Sequence, residues 1–264
     1  MKNDQIFQIP YQSLAPVYDY VMRHVDYDEW ASFLHNIFLR YTPNVKYLID
    51  VACGTGNISN ELEKIGYELT GVDASESMIS IAQQKTLIDG NNNQFIHRDI
   101  RELDGVGRFE GAVCVYDSLN YLLETSDIVE AFAQICNILN PGSLFIFDVC
   151  TERNSVTHFN DYLDEEHGPG FTYKRKSYYN KVNRLQYNEF DIQFEGDETN
   201  YREQHVQRIY PLKVIEKQIF ISNLTLLGIF DEFSFNEGSE DSNRVHYVVR
   251  TPRENERNNS KKRH

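Results

Sequence analysis

The sequence predicts an α/β fold: a doubly wound, seven-stranded, mostly parallel sheet with an antiparallel last strand, and an antiparallel sheet inserted late in the chain. Three observations carry this. Apolar strand-like runs alternate with helical stripes up to residue 150. A glycine-rich bend follows the first strand, and between 171 and 210 the pattern changes to two-residue alternation.

The first strand is the apolar run 45–51, which stops at Cys53-Gly54-Thr55-Gly56. Ile58, Leu62 and Ile65 then recur at helical spacing, and Gly66 closes that helix as a C-terminal glycine. Residues 68–73 form the second strand. Ser75 reads as the N-cap of a second helix whose buried stripe is Met78, Ile81 and Ala82. Residues 93–97 and 111–116 supply the third and fourth strands. Ile128, Phe132, Ile135 and Leu139 mark the next helix, which ends at Asn140-Pro141-Gly142. The fifth strand, 143–149, is nearly all apolar, as a strand covered on both faces should be.

After Cys150 the character changes. Tyr187, Glu189, Asp191 and Gln193 interleave with Asn188, Phe190, Ile192 and Phe194, and turn signals fall at 180–183 and at Gly196-Asp197. About three antiparallel strands are expected there. Residues 211–227 return to helix with Pro211 in the first turn. The runs 229–235 and 244–250 suit an antiparallel hairpin at the sheet edge. The expected organisation is a helical cover over 1–40, a core domain over 41–150 and 211–252, the inserted sheet over 151–210 and a disordered tail over 253–264.

Composition narrows the function. The chain carries a net charge of −14, which repels a phosphate backbone and makes a broad nucleic-acid surface unlikely. The basic run 258–264 reads as a solvated end. No apolar run approaches the ~20 residues of a membrane span, and the first ten residues lack the basic and apolar regions of a signal peptide. Cys53, Cys114, Cys136 and Cys150 sit singly, with neither metal-ligand spacing nor a disulfide framework. A cytoplasmic protein without a metal, monomeric or homodimeric and free of the membrane, is therefore expected.

The best-specified site is Asp50-Val51-Ala52-Cys53-Gly54-Thr55-Gly56, at the handover from first strand to first helix. Open α/β sheets bind ligands beyond the carboxyl ends of their strands, and glycine lets the backbone approach one closely. Asp73, ending the second strand, can accept hydrogen bonds from both hydroxyls of a ribose. Asp99, after the third strand, either reaches an adenine amino group or pairs with Arg98 or Arg101 at the surface. A nicotinamide site wants G-x-G-x-x-G, but the third glycine position holds Ser59. Asp50 beside the loop disfavours a pyrophosphate and suits a cationic ligand bearing an amino group. Cys53 reads as a small buried filler rather than a nucleophile.

These segments, together with Gly71-Val72-Asp73-Ala74-Ser75-Glu76-Ser77-Met78 and Arg98-Asp99-Ile100, resemble the three cofactor motifs of class I S-adenosylmethionine-dependent methyltransferases. The resemblance implies a Rossmann-like fold and S-adenosylmethionine as cofactor, with S-adenosylhomocysteine as product. It implies that Asp50, Ala52, Cys53, Gly54 and Gly56 back the methionine and ribose portions. Asp73, Ala74 and Met78 would then lie along the ribose, and Asp99 and Ile100 beside adenine. Residues 203–210 resemble the end of the lid sheet in bacterial small-molecule members, including sugar N-methyltransferases. Tyr11 and Tyr18, seven residues apart on either side of Pro16, resemble the aromatic cover that closes over the cofactor in related enzymes.

An acceptor would sit above the fourth strand, at Tyr116-Asp117-Ser118-Leu119-Asn120-Tyr121. There Asp117 and Asn120 orient a polar group and Tyr116 borders the adenine or the methyl. From the lid, His205 can take a proton near neutral pH and Arg208 can hold a carboxylate or phosphate; Tyr18 completes the catalytic candidates. Trp30 reads as core. No N/D-P-P-Y follows the fourth strand, no proline precedes a cysteine, and no paired-glutamate loop is present. These absences leave N- or O-methylation of a small polar or natural-product-like molecule as the expected function. A non-catalytic cofactor-binding module and an RNA-modifying enzyme are the alternatives.

Overall fold

The structure, a computed structural model, describes residues 5–256. The chain opens with a strand, β1 (Gln5–Gln8), and two helices, α1 (Ala15–Val21) and α2 (Tyr27–Tyr41). The core sheet follows, from β2 (Tyr47–Val51), β3 (Glu68–Asp73), β4 (Gln94–His97), β5 (Phe109–Cys114) and β6 (Leu139–Cys150). It is completed late in the chain by β11 (Thr225–Asp231) and β12 (Arg244–Arg250). The spatial order is β11-β12-β6-β5-β2-β3-β4. β12 enters between β6 and β11 and runs antiparallel to both, while the other core pairs are parallel.

Helices cover both faces because the strand residues are apolar on both. On one face, Ile49, Val51, Phe145, Phe147 and Tyr247 pack with α5 (Thr125–Ile138) and α7 (Leu212–Ile221). On the other, Leu48, Val113, Ile146 and Val248 pack with α2 and α3 (Asn57–Ile65). The predicted cover over 1–40 is thus corrected in part. Trp30, Leu34, Ile37 and Phe38 make α2 a layer of the core, and β1 joins the inserted sheet.

The helix α4 (Glu76–Asp89) is capped by Ser75, whose Oγ accepts the Met78 N–H at 3.3 Å. Its buried stripe is Met78, Ile79 and Ala82, with Ile79 taking the place expected of Ile81. The helix expected over 211–227 ends at Ile221, since Asn223 turns left-handed at φ 57°. The strand expected over 229–235 accordingly begins earlier, at Thr225.

The inserted sheet has five strands rather than three: β7 (Tyr162–Gly168), β8 (Phe171–Asn180), β9 (Leu185–Phe194) and β10 (Asn200–Arg208), with β1 parallel to β10 at its edge. A helix, α6 (Glu152–His158), leads into it. Residues 254–256 form a helical turn, and Glu256 pairs with Arg250, so the expected disordered tail is corrected at 253–256. The remainder of that tail, with the basic run 258–264, lies outside the described residues.

Candidate active site

One cavity of about 720 Å³ lies between the carboxyl ends of the core strands and the inner face of the lid sheet. It falls within the ~300–1,000 Å³ range of small-molecule sites. Its floor is the glycine bend. Ala52, Gly54 and Gly56 all adopt positive φ (58°, 56° and 79°), which turns the chain from β2 into α3 within a few residues. A Cβ on Gly56 would lie 2.6 Å from the Phe95 ring, so a larger residue would have to displace that ring as well as hold a left-handed backbone. A Cβ on Gly54 would meet nothing within 4 Å; glycine is required there for the left-handed backbone and leaves the cavity open.

The Asp73 carboxylate is fixed by its neighbours. Oδ2 accepts the Gly54 N–H and Oδ1 the Ser75 N–H, each at 2.8 Å. Both oxygens retain lone pairs for a diol. Burial raises its pKa, and the two backbone bonds oppose that rise. Asp50 is 1% exposed and accepts the Ser59 hydroxyl at 2.7 Å, so the residue replacing a third glycine serves as its partner. Burial pushes the Asp50 carboxyl up to about 7. Ala52, Cys53, Ala74, Met78 and Ile100 line the same half of the cavity. Desolvation raises the Cys53 thiol well above its usual range, which suits a filler.

Asp99 takes the second of its two foreseen uses. Arg101 donates to it from Nε at 2.9 Å and Nη2 at 2.7 Å, and this holds its carboxyl below the usual range. The clamped carboxylate also lines the cavity wall beside Ile100.

The segment before α1 closes the cavity as a strap. Tyr11, at φ 66°, donates its backbone N–H to Glu203 of β10 at 2.7 Å, and its carbonyl accepts the Ser75 hydroxyl at 3.3 Å. One residue therefore spans lid and cofactor loop. Pro16 sits in the first turn of α1, where a missing N–H costs nothing, so Tyr11 lies before the helix rather than within it. The rings of Tyr11 and Tyr18 nevertheless meet edge to face at 6.0 Å. Asp19 anchors the strap from α1, accepting from Thr55 Oγ1 at 2.6 Å and from Lys85 Nζ at 2.9 Å.

Beyond the strap lies the half of the cavity where the sequence led us to expect an acceptor. Tyr11 Oη donates to Tyr121 Oη at 2.6 Å, Tyr121 Oη lies 3.1 Å from His205 Nδ1, and His205 Nε2 lies 3.1 Å from Glu203 Oε2. Tyr116 and Asp117, both at positive φ, border this space. Asp117 Oδ1 accepts from Arg244 at 2.7 Å and Oδ2 from Gln207 at 2.5 Å, so it is an anchored wall group. Arg244 also pairs with Asp148, and its guanidinium stacks on Trp30 and Tyr116 at 5.2 and 5.1 Å.

Two expected acceptor residues are absent from the cavity. Asn120, fully buried, donates to the Arg208 carbonyl at 2.7 Å and accepts the Cys150 N–H at 3.1 Å, tying β10 to β6. Arg208 points away, donating to the Leu123 and Asn183 carbonyls. Side chains alternate along a strand, so residues three apart such as His205 and Arg208 must take opposite faces. The inward set on β10 is Glu203, His205 and Gln207. Sequence reading missed Glu203, Gln207, Arg175, Asn188, Asp148 and Arg244. Strand parity could have supplied the first four, whereas nothing local marks Arg244.

A methyltransferase-domain family model matches residues 48–142. The Bacillus subtilis (strain 168) protein YqeM, which carries a provisional methyltransferase name, is 30% identical over 240 residues, covering 90% of this chain and 95% of that one. A dTDP-3-amino-3,4,6-trideoxy-alpha-D-glucopyranose N,N-dimethyltransferase from Streptomyces venezuelae is 34% identical over 137 residues, 51% of this chain and 56% of that protein. Among solved structures, an S-adenosylmethionine-dependent methyltransferase from Clostridium acetobutylicum ATCC 824 superposes with a TM-score of 0.77 at 25% identity, covering 92% of this chain and 99% of that one. The glycine floor, the Asp73 carboxylate with its free lone pairs and the buried Asp50 have the chemistry to fit the nucleoside and amino groups of that cofactor. A likeness running nearly end to end thus joins the motifs to the geometry, and the chain belongs to the S-adenosylmethionine-dependent methyltransferase family.

Proposed function

We propose that the enzyme methylates nitrogen or oxygen on a small polar acceptor held between the strap and the lid. The observation that carries this reading is the continuity of one cavity from Asp73 to His205, roofed by the lid strands and closed by Tyr11. A roofed chamber of this size suits a small molecule better than a polymer. The sugar N,N-dimethyltransferase likeness over 137 residues supports the same direction.

The sulfonium cofactor supplies an activated methyl group, so the protein's part is alignment and exclusion of water, worth up to ~7–11 kcal/mol. The tyrosine–histidine chain gives a route for the acceptor's proton. Glu203 can only accept, so His205 holds its proton on Nε2 and Nδ1 accepts from Tyr121. Tyr121 in turn accepts from Tyr11, whose oxygen keeps a lone pair for a proton arriving from the cavity. A proton taken there moves along the chain to leave an imidazolium beside Glu203. Burial raises both tyrosines and disfavours a free phenolate, so the transfers are coupled. Such a base adds ~10²–10⁴-fold.

The test is turnover of methyl-labelled cofactor with a panel of small amines and hydroxy acids, run beside total RNA. Label in a small acceptor, diminished in His205→Ala, is the expected result. Cofactor binding without turnover on any acceptor favours an idle binding module, and label only in RNA overturns the small-molecule reading.

A further inference from the structure

We propose that the acceptor bears an oxyanion, a carboxylate or a phosphate ester, and that Arg175 and Asn188 on the inner face of the lid seat it. This deepens the reading above and rests on it.

Most polar groups of the acceptor half already have partners. Ser155 donates to Gln186, Gln186 to Gln207, and Gln207 to Asp117, which Arg244 also holds. Both ring nitrogens of His205 are engaged, and Glu203 takes three backbone N–H groups, from Tyr11, Ser13 and Leu14. Arg175 and Asn188 differ. Arg175 donates from Nε at 3.3 Å and Nη2 at 2.8 Å to Asn188 Oδ1, which also accepts Ser177 Oγ at 2.6 Å.

A guanidinium only donates, so the amide oxygen of Asn188 must face it and the amide nitrogen must face elsewhere. Asn188 is 5% exposed and lines the cavity, yet its Nδ2 has no acceptor among the described residues. Arg175 Nη1 has none either, and no carboxylate of the described residues lies within 4.0 Å of that guanidinium. Of the carboxylates lining the chamber, Asp117 is held by Arg244, Asp99 by Arg101 and Asp73 by the Gly54 and Ser75 N–H groups, while Asp164, opposite Arg175 in the β7–β8 pairing, accepts the Tyr173 hydroxyl instead. Arg175 therefore brings a positive charge without a counter-ion and stands beside an unused amide donor. A donor-only pair of this kind matches an oxyanion and rejects an ammonium. The Phe159 and Phe190 rings lie 5.2 and 5.5 Å from the guanidinium carbon and wall the seat with apolar surface.

The experiment uses the full chain loaded with S-adenosylhomocysteine and titrated by calorimetry with benzoate, phenyl phosphate and the neutral benzamide. At least one anion is expected to bind about tenfold or more tightly than benzamide, the effect of one charge-assisted hydrogen bond. Which anion binds separates a carboxylate from a phosphate acceptor. Arg175→Gln is expected to bring the anion down to the benzamide level while S-adenosylhomocysteine binds as before. Binding of benzamide equal to that of the anions, an anion preference that survives Arg175→Gln, or no binding of either anion overturns the proposal. If the unsubstituted protein fails to bind S-adenosylhomocysteine, the cofactor reading falls first and this one with it.

Discussion

Glu203, wholly buried in the lid, accepts the backbone N–H of Leu14 at 2.9 Å, so the N-terminus of α1 is capped by a residue of β10, 189 positions away. Its two oxygens also take the N–H groups of Tyr11 and Ser13, and no side chain within α1 does this work. A carboxylate facing several exposed N–H groups is stabilised by them and by the helix dipole. The strap's position is thereby set by the lid.

Glu203→Ala is expected to free the strap rather than unfold the core. Losing the acceptor of buried backbone donors costs about 1–3 kcal/mol, concentrated at residues 11–16. Amide hydrogen exchange there should accelerate while β2 and β5 keep their protection, and S-adenosylhomocysteine should leave faster. Unchanged exchange at Leu14 would remove the latch.

Asp73→Ala should weaken S-adenosylhomocysteine by about 10²-fold or more, because two charge-assisted bonds to a diol are worth ~1.5–3 kcal/mol each. It also releases the Gly54 and Ser75 N–H groups, so the loop itself loosens. Gly54→Arg should be more severe, combining a strained left-handed arginine with a side chain in the cavity. Calorimetry alongside thermal melts separates lost binding from lost fold. Near-native affinity in Asp73→Ala would show that the ribose sits elsewhere.

How much of this was legible depended on range along the chain. The glycine bend, Asp73 and the Ser75 cap are local, with each residue's partner within about twenty positions, and the sequence pattern carried them. The lid's inner face was half legible: alternation at 186–194 was plain, but assigning Arg208 beside His205 ignored the two-residue pleat. Arg244 meets Asp117 only because β12 inserts beside β6, a pairing across 127 positions that no local pattern encodes. The same holds for β1, whose four residues gain strand structure only from β10. Asp99 is the local extreme, since the partner that holds its carboxylate, Arg101, lies two residues away and was among those the sequence offered.

Cofactor binding should depend on pH through Asp50, whose carboxyl burial lifts to about 7. A ligand's ammonium favours the ionised form, so above pH 7 the site is ready and below it a proton must first leave. Affinity is therefore expected to fall up to about tenfold per unit as pH drops below 7, with one proton released on binding at pH 6 and none at pH 8. Calorimetry in buffers of different ionisation enthalpy reads that proton directly. Asp50→Asn should flatten the profile, and a flat profile in the unsubstituted protein would exclude Asp50 as the titrating group.

His246 sets a second pH dependence, one of stability and not of binding. Its ring packs among Trp30, Phe33 and Phe233, with the Glu232 backbone beside it opposing only part of the cost of burial. Burial, aided by the charge of nearby Arg244, pushes it down to about 3. An unfolded histidine titrates near 6.5, so between these values the unfolded chain binds a proton that the folded chain refuses. The stabilising contribution is thus complete above about pH 6.5 and is lost as pH falls toward 3, by up to about 1.4 kcal/mol per unit. His246→Phe keeps the ring packing and removes the titration, so denaturant midpoints at pH 5 should lie nearer those at pH 8 than in the unsubstituted protein. It should also leave S-adenosylhomocysteine affinity unchanged, since His246 lies beneath the Arg244 and Trp30 layer and not on the cavity wall. Equal acid sensitivity in the two proteins would mean that the ring gains a proton without unfolding, and that the aromatic box opens to admit water.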